Sequence, residues 1–411
     1  MKRRRKKAGC LHIFAAFGGF FCLIIAVISI SYGIGTSTDV VKKIEKEFIM
    51  PSKVPYQEAV VSEEEVVQKF YYQQLEEDER LVYREILDGI QGNVEEIYVH
   101  TSDAERANAV FQYILKDYPE IFWCDGTISA TSYEGEEAYT VLRPTYAYDE
   151  AAKEIMKEEM ASAIEECLAE VPEESSEYQK ILYVYEYIVN TVDYDMAAPD
   201  NQNIYSVFKY QRSVCAGYSK AAQYLLERLG VFCTYVTGTT GTGQNHAWNL
   251  VKCEEDYYYV DVTWGDPVFQ EAEGEEVSQL QNISYDYMLC NDEELFKSHT
   301  PDKDAQLPPC TKMNRNYYMM NGMYYDSYDG NTVLMRMNDV IAAKGNPSVL
   351  KFANRDLYNQ AHDDVFQNVI KSAAQNLAEK YGLTEVRYQY MDEPENNKIT
   401  IYWQYEYNSD A

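Results

Sequence analysis

From Cys215 to Asp266 the apolar residues change period once, and that change fixes the local fold. Ala221, Ala222, Leu225, Leu226 and Leu229 recur at helical spacing, and Gly230 follows them as a helix stop. The chain then alternates. VFCTYVTG reads as a strand, TTGTGQN as a loop, and HAWNLVKC and YYYVDVTW as two strands joined by a tight turn around EED. One helix followed by an antiparallel sheet predicts an α/β (α+β) domain.

This order places three reactive side chains. Cys215 stands at or just before the helix N-terminus, where free N–H groups and the helix dipole favour a thiolate. The same N–H groups can hold a developing oxyanion. Ala216 and Gly217 are read as leaving room for a substrate. His246 and Asp261 ride on the two hairpin strands. A two-residue turn pairs Cys253 with Asp256, and a four-residue turn pairs Lys252 with Tyr257. Either register sets Trp248 opposite Asp261. His246 and Asp261 then share a face as diagonal neighbours, ~7–8 Å apart along the backbone. A thiolate to attack an acyl carbon, an imidazole to move the proton and a carboxylate to orient the imidazole make a nucleophilic set.

The blocks VCAGYSKA, HAWN and YYVDVTWGDP, in this order, resemble the transglutaminase-like superfamily, as does the tail ISYDYMLCNDEELFKSH. The resemblance covers about residues 180–300. It implies a papain-like arrangement with Cys215 as nucleophile, His246 as general base and acid, and Asp261 as orienting carboxylate. It also implies a polar or aromatic side chain upstream that steadies the oxyanion, a place that Gln202 or Tyr205 could fill, with no motif to choose between them. The calcium sites of animal transglutaminases have no recognisable counterpart, and no cofactor or metal is expected. His299 fits the family tail and is read as structural. Trp248 and Trp264 are read as core packing, with lining of an acyl cleft as the alternative. The segment KDYPEIFW resembles membrane-anchored surface members from Gram-positive bacteria.

Ahead of this region, residues 2–7 read Lys-Arg-Arg-Arg-Lys-Lys, and no charged residue occurs between Lys7 and Asp39. An apolar run of ~20 residues spans a bilayer as a helix. The basic cluster sets the N-terminus inside and the remainder outside. A cleaved signal peptide has a shorter apolar core of ~7–15 residues, so the run is read as an uncleaved anchor. The expected organisation is a basic tail and transmembrane anchor over 1–35, a stalk over 36–61, and an α/β unit over 62–147. The catalytic domain follows over 148–300 and a second α/β unit over 311–411. The net charge of −31 repels phosphate backbones and argues against a nucleic-acid partner.

In the first unit SEEEVVQKFYYQQLEEDERLVYREILDGI is amphipathic, DAERANAVFQYILKDYP reads as a helix, and EEIYVH and EAYTVLRP as strands. EAAKEIMKEEMASAIEECLAEV and EYQKILYVYEYIVNTV are expected helices. The last unit offers strands NYYMMNGMYYD, SVLKFA, EVRYQYMD and KITIYWQYE, with a helix ending at Gly382. Cys233 with Cys253, or Cys290 with Cys310, could be bridges, and the sequence alone leaves both open. The acidic run EAEGEEVSQ reads as a solvated loop, and Asn282-Ile283-Ser284 as a glycosylation pattern.

These readings give extracytoplasmic thiol chemistry on amide bonds of protein or cell-wall peptide. The competing reading is a surface binding or scaffolding module in which the fold is retained and the chemistry unused. Its binding surface would be the flanks rich in tyrosine, of which the chain has 39.

Overall fold

The computed structural model describes residues 54–56, 59–135, 137–266 and 283–405. Gln57–Ala411 form one compact unit. The expected anchor, the acidic run and Asn282 lie outside the described residues. Among the described residues no helix is long and apolar enough to cross a membrane.

Helices and sheets are mixed throughout. Three strands at the N-terminal end, Ile97–Val99, Tyr139–Tyr146 and Cys124–Tyr133, form an antiparallel sheet in that spatial order. The helices Glu77–Gln91 and Ala104–Asp117 pack with it. The amphipathic stretch from Ser62 is broken: a short helix over Glu63–Val66, a 3-10 turn over Tyr72–Gln74, then the helix from Glu77. Glu76 and Glu79 form a capping box there, so the last helix starts afresh. The helices Glu150–Ala169 and Glu177–Thr191 form where their spacing predicts.

The central sheet runs His299–Pro301, Cys233–Thr240, Asn245–Cys253, Asp256–Val260, Met288–Cys290, all antiparallel. The helix Cys215–Arg228 packs against its second and third strands. Cys253 pairs with Asp256 across a two-residue turn, and Glu254 takes the left-handed conformation at φ 58°.

In the last segment a four-stranded sheet runs Tyr324–Tyr325, Ser348–Phe352, Lys398–Trp403, Tyr388–Glu393. NYYMMNGMYYD is not the expected strand. Asn316 caps a helical turn over Tyr317–Met320, and only Tyr324–Tyr325 is extended. A helix over Gly330–Ala342, capped by Asp329, buries Val333, Met337 and Ile341. One apolar core runs from Val66 to Cys310, shared by the stretches before and after residue 148, and a second runs from Tyr325 to Trp403. The seven described cysteines are all free, so neither proposed bridge forms.

Candidate active site

Cys215 opens the helix Cys215–Arg228, and Val214 before it makes no side-chain cap hydrogen bond. The first-turn N–H groups therefore lack a capping side chain beside the sulfur. Gly217 does not open room for substrate. It lets the helix start pack tightly, since a Cβ there would lie 2.0 Å from Ser213 Oγ and 3.1 Å from the Asn201 carbonyl. The other six described cysteines are buried. Burial pushes the thiols of Cys167 and Cys253 up to about 12.

His246 lies one residue into its strand, opposite Gly238. A Cβ on Gly238 would meet the Thr300 carbonyl at 2.2 Å and Pro301 Cα at 2.8 Å. Only glycine lets the strand His299–Pro301 close onto the sheet here. Asp261 follows the strand Asp256–Val260 and is fully buried. His246 Nε2 lies 2.7 Å from Asp261 Oδ2. The hairpin register does put the two side chains on one face. With Nε2 committed to Asp261, the other ring nitrogen is left for the Cys215 thiol, whose interaction with the imidazole helps to raise the His246 pKa.

Burial by itself would pull the His246 pKa down, but Asp261 and then Cys215 raise it to about 10. Burial would likewise raise Asp261, yet His246 and His299 hold it well below the usual carboxylate range.

His299 enters this network. Its Nε2 lies 3.0 Å from the same Asp261 Oδ2, and its Nδ1 lies 2.8 Å from Ser298 Oγ. Ser298 Oγ is in turn 2.8 Å from the Tyr287 hydroxyl. In a neutral ring whose Nε2–H donates to the carboxylate, Nδ1 accepts from the Ser298 hydroxyl, and the Tyr287 hydroxyl can then donate to Ser298 Oγ. Asp261 Oδ1 accepts the Trp264 N–H at 3.2 Å. The carboxylate is held by three donors.

Trp248 is fully buried and stacks on His246 with ring centroids 6.0 Å apart. Trp264 lies 4.7 Å from the His299 ring. Both tryptophans box the two imidazoles, and neither lines the cavity in front of Cys215. Among the described residues, the ligand atoms of His246, Asp261 and His299 converge within 4.8 Å, as a metal site would require. The Nε2 and Oδ2 atoms are already engaged with one another, so a cation would have to displace both hydrogen bonds.

A cavity of about 730 Å³ opens in front of Cys215 and His246. Tyr194, Gln202, Tyr235 and Asn245 line it, with Lys116, Asp302 and Asp304 at one end. Lys116 is paired with Asp304. Of the two upstream residues, Gln202 is exposed and lines the cavity, while buried Tyr205 gives its hydroxyl to Glu159. The site thus brings Cys215, His246, Asp261 and Gln202 together and leaves Tyr205 out.

Residues 166–263 match the family model of the transglutaminase-like superfamily. Among solved structures, the chain is similar to a TGase at 16% identity, over 46% of this chain and 54% of that one, with a TM-score of 0.25. The chain thus spans about half the length of that TGase. It is also similar to a protein from Cytophaga hutchinsonii provisionally named a cysteine protease. There the identity is 13%, over 45% of this chain and 79% of that one, with a TM-score of 0.23. Menin, whose structure reveals the binding site for the Mixed Lineage Leukemia protein, is similar at 12% identity, over 73% of this chain and 64% of that one, with a TM-score of 0.24. No curated protein matches.

Proposed function

We propose that the transglutaminase-like domain this chain carries is a thiol acyl-transfer enzyme with Cys215, His246 and Asp261 as its catalytic residues. A fold of this kind supports thiol-dependent acyl chemistry on protein or peptide in general. The observation that carries the finer reading is the chain of contacts at the cavity. Cys215 sits at a helix N-terminus and meets an imidazole whose far nitrogen is held by a buried carboxylate.

The chemistry follows from that order. The Cys215 thiolate attacks the amide carbonyl, and the N–H groups of the first helical turn hold the oxyanion, with Gln202 beside them. The His246 imidazolium gives its proton to the leaving amine, the C–N bond breaks and a thioester remains. Water or a second amine then attacks the thioester, loses its proton to His246, and releases the thiolate. Asp261 keeps the imidazole oriented and stabilises its charged form, and His299 steadies Asp261 from behind.

Cys215→Ala should leave the fold intact and reduce amide turnover on protein or cell-wall peptides to background. His246→Ala should do nearly the same. Full turnover by Cys215→Ala on any verified substrate excludes the thioester. A silent binding module predicts no turnover by the wild type and no difference between the two proteins in binding.

The basic cluster and the apolar run support a location outside the membrane, on an uncleaved N-terminal anchor. The full chain should then pellet with membranes, and protease added to intact cells should digest it beyond the apolar run. Recovery as a protected soluble cytoplasmic protein refutes that placement.

A further inference from the structure

Beside the cavity in front of Cys215 lies a second one of about 260 Å³, and Asn201 and Gln202 line both. Lys220 lines the second cavity together with Cys124. We infer that Lys220 forms an anion subsite next to the Cys215 cleft, and that it receives a carboxylate carried by the acyl donor. This rests on the acyl-transfer reading above and names the class of substrate for it.

Three observations carry the inference. The first is position. Ala216 lines the main cavity, and Lys220 lies four residues later on the same face of the same helix, one turn behind it. Helical side chains lean toward the helix N-terminus, which in this helix is the end that carries Cys215. Its Nζ stands 5.6 Å from the ring centre of Tyr235, which lines the main cavity.

The second is the lack of a counter-charge. Among the described residues no carboxylate lies within ion-pair distance of Lys220. Asp125 and Asp200 also line the small cavity, but each is spent elsewhere. Asp125 accepts from the N–H and hydroxyl of Thr127, and Asp200 accepts from the Tyr148 hydroxyl at 2.6 Å. Burial pulls the Lys220 ammonium down to about 8, and the Cys124 sulfur offsets this only in part. Lys220 is half-buried and its ammonium meets the face of the Tyr235 ring but no carboxylate, so a bound anion supplies the counter-charge it lacks.

The third is contrast. The other lysine at the cleft, Lys116, is neutralised by Asp304, and the chain as a whole carries a net charge of −31. Lys220 is thus the cation left available to a bound substrate at this face among the described lining residues. The anionic groups of a peptide acyl donor are carboxylates, either at its terminus or on a side chain.

The test uses the full chain and two series of alkylating probes, ω-bromoalkanoic acids and the matching ω-bromoalkanamides, from two to six carbons. Labelling of Cys215 is followed by peptide mass spectrometry. The readout is the acid-to-amide rate ratio at each length. The wild type should show a maximum at one length, and Lys220→Met should lower that maximum about tenfold, the worth of one charge-assisted contact. Lys220→Arg should restore most of it. The length at the maximum reads the thiol-to-ammonium separation, and so separates a carboxylate next to the scissile amide from one further along a side chain. A ratio that Lys220→Met leaves unchanged at every length overturns the subsite alone. Failure of every amide probe to label Cys215 overturns the acyl-transfer reading, and the subsite falls with it.

Discussion

Asp261→Asn should slow turnover at Cys215 by roughly 10³–10⁴-fold while the domain stays folded, the loss expected when a triad imidazole is left in the wrong tautomer. The wild-type carboxylate accepts Nε2–H from His246 at 2.7 Å and from His299 at 3.0 Å, both on Oδ2. An asparagine amide offers one oxygen and one NH2 group. If the NH2 faces His246, Nε2 must become an acceptor and the ring proton moves to Nδ1, where it can no longer take a proton from the thiol.

The pH profile should change as well. In the wild type the His246 pKa is raised to about 10, so the imidazolium persists across neutral pH. Activity should therefore fall on the alkaline side near that value, as the leaving amine loses its acid. Without the carboxylate, burial acts unopposed except by Cys215, and the alkaline limb should move to lower pH. The stability linkage has the same sign. A raised folded-state pKa stabilises fully below the ordinary histidine range, and that contribution is lost as pH rises through about 10. His299→Ala keeps the His246–Asp261 bond and should cost only about tenfold, on the scale of one buried hydrogen bond. Rates and pH profiles of the three proteins on one substrate, or on bromoacetamide, decide the matter. An Asp261→Asn protein within tenfold of wild type, with an unmoved alkaline limb, removes Asp261 from the triad.

The part of this site legible in the sequence was local. Helical spacing after Cys215 and alternation around His246 and Asp261 follow from the two periods a buried face imposes, and the turn at Glu254-Glu255 sets which face. His299 was not legible as a partner of Asp261. It stands 38 residues further on and reaches the carboxylate only because its strand pairs with Thr240 at the sheet edge. The close approach permitted by Gly238 was the available hint, and it becomes meaningful only once the strand order is known. The choice between Gln202 and Tyr205 likewise depended on Glu159, a partner 46 residues from Tyr205.

Outside the site, composition competes with pattern. The tyrosines and methionines of NYYMMNGMYYD favour a strand, but the Asn316 cap turns them into a helical turn. The strand Cys124–Tyr133 escaped because its alternation is carried by Ser, Thr and Gly rather than by large apolar residues. The helix Gly330–Ala342 did carry a signal, with Val333, Met337 and Ile341 at intervals of four behind an Asp cap.

The second large effect is on stability. Asp286→Ala should destabilise the protein by about 3–5 kcal/mol, the usual cost of stripping one partner from a buried ion cluster. Lys351 and Lys398 stand directly opposite each other on adjacent strands of the C-terminal sheet, and both are buried. Two like charges in that position repel, and burial amplifies the repulsion. Three carboxylates offset it. Asp286 touches Lys398 and lies 3.6 Å from Lys351, Glu294 lies 3.0 Å from Lys351, and Glu393 lies 3.1 Å from Lys398. Of these Asp286 alone reaches both lysines. Burial works to raise its pKa, but the two lysines hold it down at about 2. Its contribution is therefore present above the ordinary aspartate range and lost as pH falls through that range toward about 2. Asp286 precedes the strand Met288–Cys290 of the central sheet, whereas the lysines belong to the sheet with the second core. The cluster thus ties two apolar cores that otherwise keep separate residues. Urea unfolding should show a lower midpoint in Asp286→Ala and a transition that splits in two as the cores uncouple. Adding Lys398→Met should recover part of the loss, because it removes the charge left without its main partner. A midpoint shift worth under ~1 kcal/mol, with one undivided transition, would place this cluster with the weak surface pairs and leave the joining of the two cores to apolar contact.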